Sequence, residues 1–173
     1  MATTEHSIFC DGACPGNGTK AARASWAFAY WPGPLEAVVG PPATEEAAPL
    51  DPLTPQTNQR AELTALLRAL EWAKEELITE SGSTITIYTD SVYAMKCTTE
   101  WGPKWKRDGW TRSSGKPLEN LDLVKPLVDL WQSENTADHT WVLEHVPGHS
   151  KKPGPEKHGN DWVDAAAVAA LSP

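Results

Sequence analysis

The stretch 57–90, TNQRAELTALLRALEWAKEELITESGSTITIYTD, joins two patterns of different period. Leu63, Leu66, Leu67, Leu70, Ala73 and Leu77 recur at helical spacing, with Arg68, Glu71, Glu75 and Glu76 on the polar face. That spacing predicts an amphipathic helix from residue 57 or 58 to about Glu80, stopped by Ser81 and Gly82. TITIYT (84–89) is β-branched and aromatic and predicts a strand that ends at Asp90. A long helix feeding a strand is the unit of an α/β domain.

Upstream, residues 6–11 predict a first strand that runs into the glycine-rich turn DGACPGNG, and 25–31 alternate Trp26, Phe28, Tyr30 against Ala27, Ala29, Trp31 as a second. PGP (32–34) leads into a third expected strand over 35–40. The run 41–55 holds five prolines and three acids and is expected to be a surface loop, so a Pro-rich acidic insert spans 41–56. Downstream, helix is expected from Ser91 to about Trp101, a polar, basic segment over 102–118, helix over 121–133 and a strand over 139–146. A loop over 147–159 and a closing helix over 160–171 complete the order βββ-α-β-α-α-β-α, which argues for a mixed sheet in one domain.

Composition narrows the function. The 173 residues fit a single domain, and 15 basic against 23 acidic residues leave a net charge of −8, which excludes a protein that holds nucleic acid by bulk charge. No apolar run has the length of a membrane-spanning helix, and MATTEHSIFC lacks the form of a secretory signal, so no membrane partner is expected and an intracellular, cytoplasmic place is, with nucleus or organelle open. Cys10, Cys14 and Cys97 show neither zinc spacing nor an even disulfide set.

Four acids stand at the ends of expected elements: Asp11 after the first strand, Glu62 in the first turns of the long helix, Asp90 after its strand and Asp164 in the last helix. Taken singly, each has an ordinary explanation as a turn residue, a cap or a partner of a helix dipole. Their company differs: DGACPGNG at Asp11, TNQRAEL (57–63) at Glu62, YTDSVY (88–93) at Asp90 and PGHSKKPGPEKHGNDWVD (147–164) at Asp164. The set, in this order over nearly the whole chain, resembles the ribonuclease H type 1 family. The resemblance implies the ribonuclease H-like fold, a five-stranded mixed sheet flanked by α-helices, with 1–173 as one domain. It also implies cleavage of the RNA strand of RNA·DNA hybrids to 5′-phosphate and 3′-hydroxyl ends.

The residue types fit that chemistry without the family. Three or four carboxylates in one crevice need cations to remain ionised, and all-oxygen donors select Mg²⁺, with Mn²⁺ as substitute. Two such ions about 3.5–4 Å apart are the device for in-line phosphodiester hydrolysis. By resemblance Asp11, Glu62, Asp90 and Asp164 are the catalytic metal ligands. His149, after Pro147 and Gly148, matches the family's mobile histidine, with His158 as competitor in a loop spanning 147–159.

Residues 104–116, KWKRDGWTRSSGK, carry +4, which leaves 10 basic and 22 acidic residues, −12, elsewhere. Tryptophans interleaved with Lys and Arg in a segment poor in aliphatic residues predict stacking and phosphate contact, whereas Trp26, Trp72, Trp131, Trp141 and Trp162 are expected in the core. The segment resembles the family's basic handle, here 101–118, which supplies Trp101, Lys104, Trp105, Lys106, Arg107 and Trp110. By resemblance Cys14, Asn17, Asn58 and Gln59 would read the RNA side of the minor groove and Tyr93 the DNA sugars. Thr57 and Asn120 would form a DNA phosphate pocket; Pro55 stands where some relatives carry arginine, so Arg60 or lysines would substitute.

Met1 and the compact length favour a stand-alone, monomeric enzyme with no hybrid-binding domain ahead of residue 7 and no obligatory protein partner. The 15-residue step from His149 to Asp164 keeps open the ribonuclease H domain of a reverse transcriptase or viral polyprotein. A non-cleaving hybrid-binding module is the alternative of another class; a repulsive carboxylate cluster facing phosphates speaks against it.

Overall fold

The computed structural model describes residues 4–78, 82–136 and 138–172. Five strands, β1 (Thr4–Ala13), β2 (Ser25–Pro32), β3 (Thr44–Pro49), β4 (Ser83–Thr89) and β5 (His139–His145), form one sheet in the order β3-β2-β1-β4-β5. The β1–β2 and β2–β3 pairs are antiparallel, and β1–β4 and β4–β5 are parallel. This is the expected five-stranded mixed sheet flanked by helices.

Period two on β1 divides the core. Ile8 and Cys10 face α1 (Asn58–Glu76) and α4 (Leu121–Glu134), in a cluster with Leu63, Leu66, Leu70, Ile85, Ile87 and Leu127. Phe9 faces α5 (Pro155–Ala169), among Ala27, Ala29, Trp31, Tyr88, Val163 and Ala167. Helix α1 starts where it does because the Thr57 hydroxyl accepts the backbone N–H of Arg60 at 3.1 Å. The helix ends at Glu76; the expected extension and stop at Glu80 and Ser81 lie outside the described residues.

Two helices approach the sheet through glycine. A Cβ on Gly12 would stand 2.5 Å from the Glu62 backbone nitrogen, and one on Gly159 would stand 2.5 Å from the Phe9 ring. The first lets the opening of α1 lie on the end of β1, and the second seats α5 on the sheet.

Four expectations are corrected. The third strand is not 35–40, where Leu35–Ala37 form a 3₁₀ turn, but Thr44–Pro49, inside the run expected to be a loop. An edge strand leaves one row of backbone groups open, so Pro49 at its end and Glu45 and Glu46 within it are tolerated. The helix expected to end at Trp101 continues: α2 (Val92–Lys96), a π turn over Cys97–Trp101 and α3 (Gly102–Arg107) run without a loop. A pattern poor in aliphatic residues hid α3, which buries only Gly102. Helix α5 begins at Pro155, not 160, with proline in its first turn after Gly154. The loop therefore closes at 154, and His158 is a helical residue whose Nε2 lies 2.7 Å from the Gly40 carbonyl, between Trp31 and Trp162.

Of the tryptophans expected in the core, Trp141 is buried, and Trp26, Trp72, Trp131 and Trp162 line its rim. Trp31, 2% exposed, is a core residue that the strand pattern did not single out. Trp105 and Trp110 also pack in part against the α1-side core. No described helix is long and apolar enough to cross a membrane.

Gly12→Ala is expected to lower stability by about 1–3 kcal/mol or more, because the added methyl meets backbone that cannot rotate away. Urea unfolding measures it; a change under about 0.5 kcal/mol would remove Gly12 from this role.

Candidate active site

Parallel neighbours β1 and β4 end side by side, and their last register pair is Phe9–Tyr88. Two residues further along each strand stand Asp11 and Asp90, at the carboxyl ends where open α/β sheets place ligands. Glu62 comes from the first turns of α1, brought over the sheet end by the missing side chain of Gly12. One carboxylate oxygen from each of Asp11, Glu62 and Asp90 lies within 4.8 Å of the others. Asp164, on α5, approaches closely enough for its charge to act on both Asp11 and Asp90.

Proton affinities record the crowding. Burial, then the charges of Asp90, Asp164 and Glu62, push Asp11 up to about 9 against the pull of the Gly12 N–H. Burial also raises Asp90, opposed by hydrogen bonds from Asp11 and the Asn160 amide and by the charge of His149. Glu62 is raised by burial and held back by the Ser91 hydroxyl and the Asn58 amide, the latter at 3.5 Å. The buried Cys10 thiol is pushed well up, first by burial and then by the same three acids. Among the described residues no lysine or arginine forms an ion pair with Asp11, Glu62 or Asp90. Carboxylate oxygens that repel one another and pair with no lysine or arginine among the described residues fit a hard divalent metal.

His149 sits exposed in the turn after β5, with φ 55, and neighbouring Gly148 lies against the Asp90 carboxylate. Two polar residues that sequence reasoning passed over complete the site. Ser91 caps α2 by accepting the Ala94 N–H at 3.0 Å while it touches Glu62. Asn160 is 4% exposed, bonds Asp90 through its amide and leaves its Oδ1 without a partner. Its place four residues before Asp164, on the same helical face, was the available signal.

A cleft of about 550 Å³ lies along the basic segment, lined by Gln59 of α1, Tyr93, Trp101, Lys104, Trp105 and Arg112, with the acids Asp108 and Glu119 also in its wall. Tyr93 and Trp101 meet edge to face at 6.2 Å, and Trp101 and Trp105 lie tilted at 6.2 Å, which forms a row of rings. Lys104 and Arg107 are exposed. Trp110, at φ 64, is half-buried under the Lys125 ammonium. Asn17 accepts the Asn58 N–H at 3.0 Å, which ties the loop after β1 to the start of α1. Cys14 is half-buried just beyond β1.

Thr57 is the α1 cap, and Asn120, at φ 60, donates to the Tyr93 hydroxyl at 3.0 Å. Arg60, the expected substitute at a phosphate pocket, is already engaged: it makes two hydrogen bonds to Asp122, at 2.9 and 2.6 Å, and one to Asn120 at 3.2 Å. It therefore ties the first turn of α1 to the start of α4.

The RNase H family model matches residues 3–172. A Ribonuclease H from Methylobacillus flagellatus is 34% identical, covering 96% of this chain and 91% of that protein. Ribonuclease H1 from Rattus norvegicus is 35% identical over 87% of this chain and 46% of its own length, so the chain spans a little under half of that relative. The solution structure of the PFV RNase H domain superposes with a TM-score of 0.73 at 22% identity, covering 98% of this chain and 96% of that one. A crystal structure of LC9-RNase H1, described as a type 1 RNase H with the type 2 active-site motif, gives 0.70 at 23% identity, over 98% and 73%. These two likenesses concern the fold alone. With its family match spanning nearly every residue and about a third of its sequence shared with a bacterial relative over almost the whole length, the chain belongs to the RNase H family.

Proposed function

We propose that the protein hydrolyses the RNA strand of RNA·DNA hybrids within the strand, leaving 5′-phosphate and 3′-hydroxyl ends. The observation that carries the reading is the meeting of Asp11, Glu62 and Asp90 oxygens within 4.8 Å, while Gln59, one turn before Glu62 on α1, lines a cleft of aromatic and charged side chains. Relatives named Ribonuclease H support the substrate class.

Asp11, Glu62, Asp90 and Asp164 would hold two divalent ions, Mg²⁺ or Mn²⁺, which when bound supply Lewis-acid activation of water and neutralise phosphodiester charge. Ser91 and Asn160 hold the Glu62 and Asp90 carboxylates by hydrogen bonds, so the ligand atoms need little reorganisation. The His149 imidazole, exposed beside Asp90, is placed to carry a proton to or from solvent as the phosphodiester is cut. Lys104 in the cleft and the exposed Arg107 near it on α3 attract the DNA phosphates, and the rings of Tyr93, Trp101 and Trp105 pack on its sugars. Cys14, Asn17, Asn58 and Gln59, at the α1 end of the site, would face the RNA minor groove. Phosphate and sugar contacts of this kind carry no sequence preference.

Labelled RNA·DNA, RNA·RNA and DNA·DNA duplexes, incubated with Mg²⁺ or with EDTA, test the reading: only the hybrid with metal is expected to be cut. Asp90→Asn should reduce turnover by at least about 10³-fold while hybrid affinity stays within a few-fold. Near wild-type turnover in that variant would overturn the site assignment.

A second expectation concerns pH without metal. Asp11 binds its proton more tightly folded than unfolded, so stability is full below the ordinary carboxylate range and falls as pH rises toward about 9. In EDTA the melting temperature should fall from pH 6 to pH 9 more in wild type than in Asp11→Asn, and Mg²⁺ should restore it in wild type only. Equal slopes in the two proteins would contradict the repulsion.

Alanine at both Lys104 and Arg107 should raise KM about 10-fold and flatten its dependence on salt, with kcat nearly constant. Unchanged KM at low salt would remove these two from substrate binding.

A further inference from the structure

Lys106 stands in the most basic stretch of the chain, yet its ammonium is occupied. Nζ donates to Asp129 Oδ1 at 2.8 Å and to Gln132 Oε1 at 3.1 Å, both on α4. Its neighbours Lys104 and Arg107 form no ion pair among the described residues. A second tie lies four residues on. The Lys125 ammonium of α4 sits 5.5 Å from the centre of the Trp110 ring, and the Trp110 N–H returns to the Trp105 carbonyl at 2.6 Å. Gly102 makes the third, since a side chain there would overlap the Cys97 carbonyl and Val128 of α4. The basic helix α3 is therefore tied to α4 at its start through Gly102 and near its end through Lys106, and the turn after it through Trp110.

We propose that Asp129 and Gln132 are positioning residues for the nucleic acid: they hold Lys106, and through it α3, at the angle that presents Lys104, Arg107 and the Trp101–Trp105 row to the hybrid. Lys106 is then a strut and not a phosphate contact, in contrast to its expected role. The inference rests on the hybrid-cleaving function proposed above.

Electrostatics makes the test a matter of sign. Asp129 is an acid beside the segment that meets a polyanion, and charges within about 8 Å act on one another at physiological salt. If charge alone mattered, removing or reversing Asp129 would tighten hybrid binding. A strut requires the opposite, because the loosened helix no longer aims its free cations.

Asp129→Lys, Lys106→Asp and the double exchange are compared by steady-state cleavage of a labelled hybrid and by fluorescence anisotropy of hybrid binding in EDTA, with melting curves to confirm folding. Each single variant should raise KM and Kd about three- to tenfold with kcat within about twofold. The double exchange restores the ion pair in reverse at the wild-type net charge, and both constants should return to within about twofold of wild type. Tighter binding by Asp129→Lys, or a double variant as weak as Lys106→Asp alone, would overturn the strut and return Lys106 to the phosphates. A wild-type protein that neither binds nor cuts the hybrid would overturn the functional reading and the strut with it. Normal wild-type activity without rescue overturns the strut alone.

Discussion

The rest of the structure depends on the forced proximity of like charges at the ends of β1 and β4. Asp11, Glu62 and Asp90 bring oxygens within 4.8 Å with no lysine or arginine paired to them among the described residues, and burial, then the neighbouring carboxylates, holds the Asp11 proton far above the ordinary carboxylate range. Such an arrangement opposes folding and persists only because packing over-determines it. Parallel pairing of β1 with β4 sets two of the acids side by side, and the bare backbone of Gly12 admits the third. Ser91 and Asn160 then hold two of the carboxylates by hydrogen bonds, which lowers the cost of keeping them ionised.

Charge is divided over the molecule in the service of that site. A net −8 conceals a +4 segment that faces the cleft and a strongly acidic remainder. Two of the three acids of the insert, Glu45 and Glu46, fall on the edge strand β3, the sheet edge farthest from β4 and its Asp90, where they also discourage pairing with another chain. The positive segment keeps its direction through α4, which offers Asp129, Gln132 and Lys125 as anchors. An acidic protein can hold a polyanion in this way because attraction is local and screened within about a Debye length.

Much of this was legible in residue order. The periodic leucines of α1 and the β-branched run of β4 survive in the structure as read, because each is a local pattern with a strong period or a strong breaker, whereas β1 runs on past Asp11 to Ala13. Where local signals were weak or contradictory, the reading failed. Glu45 and Glu46 between prolines looked like loop, and only pairing with β2 makes them a strand. Lys104 to Arg107 lacked an apolar stripe because α3 meets α4 through the bare backbone of Gly102 and the polar tie of Lys106, with only Trp105 packed in part on the core. His158 looked like a loop histidine until Pro155 opened the helix that sets its ring against Trp31 and Trp162.

Composition and period were thus enough for the α/β class and for the segregation of charge, since these follow from which residues occur and how far apart along one strand or helix they stand, while the candidate acids were picked out by the resemblance of their flanking motifs to a known family. Partnership was decided only in three dimensions. Whether Lys106 and Arg60 are free cations or braces depends on Asp129 and Asp122, 23 and 62 residues away, and whether Ser91 and Asn160 serve the carboxylates depends on how α2 and α5 lie against the sheet. Local propensity acts over one or two turns of chain, whereas a charge or a hydrogen bond acts over a few ångströms of space, and the tertiary fold alone converts one distance into the other.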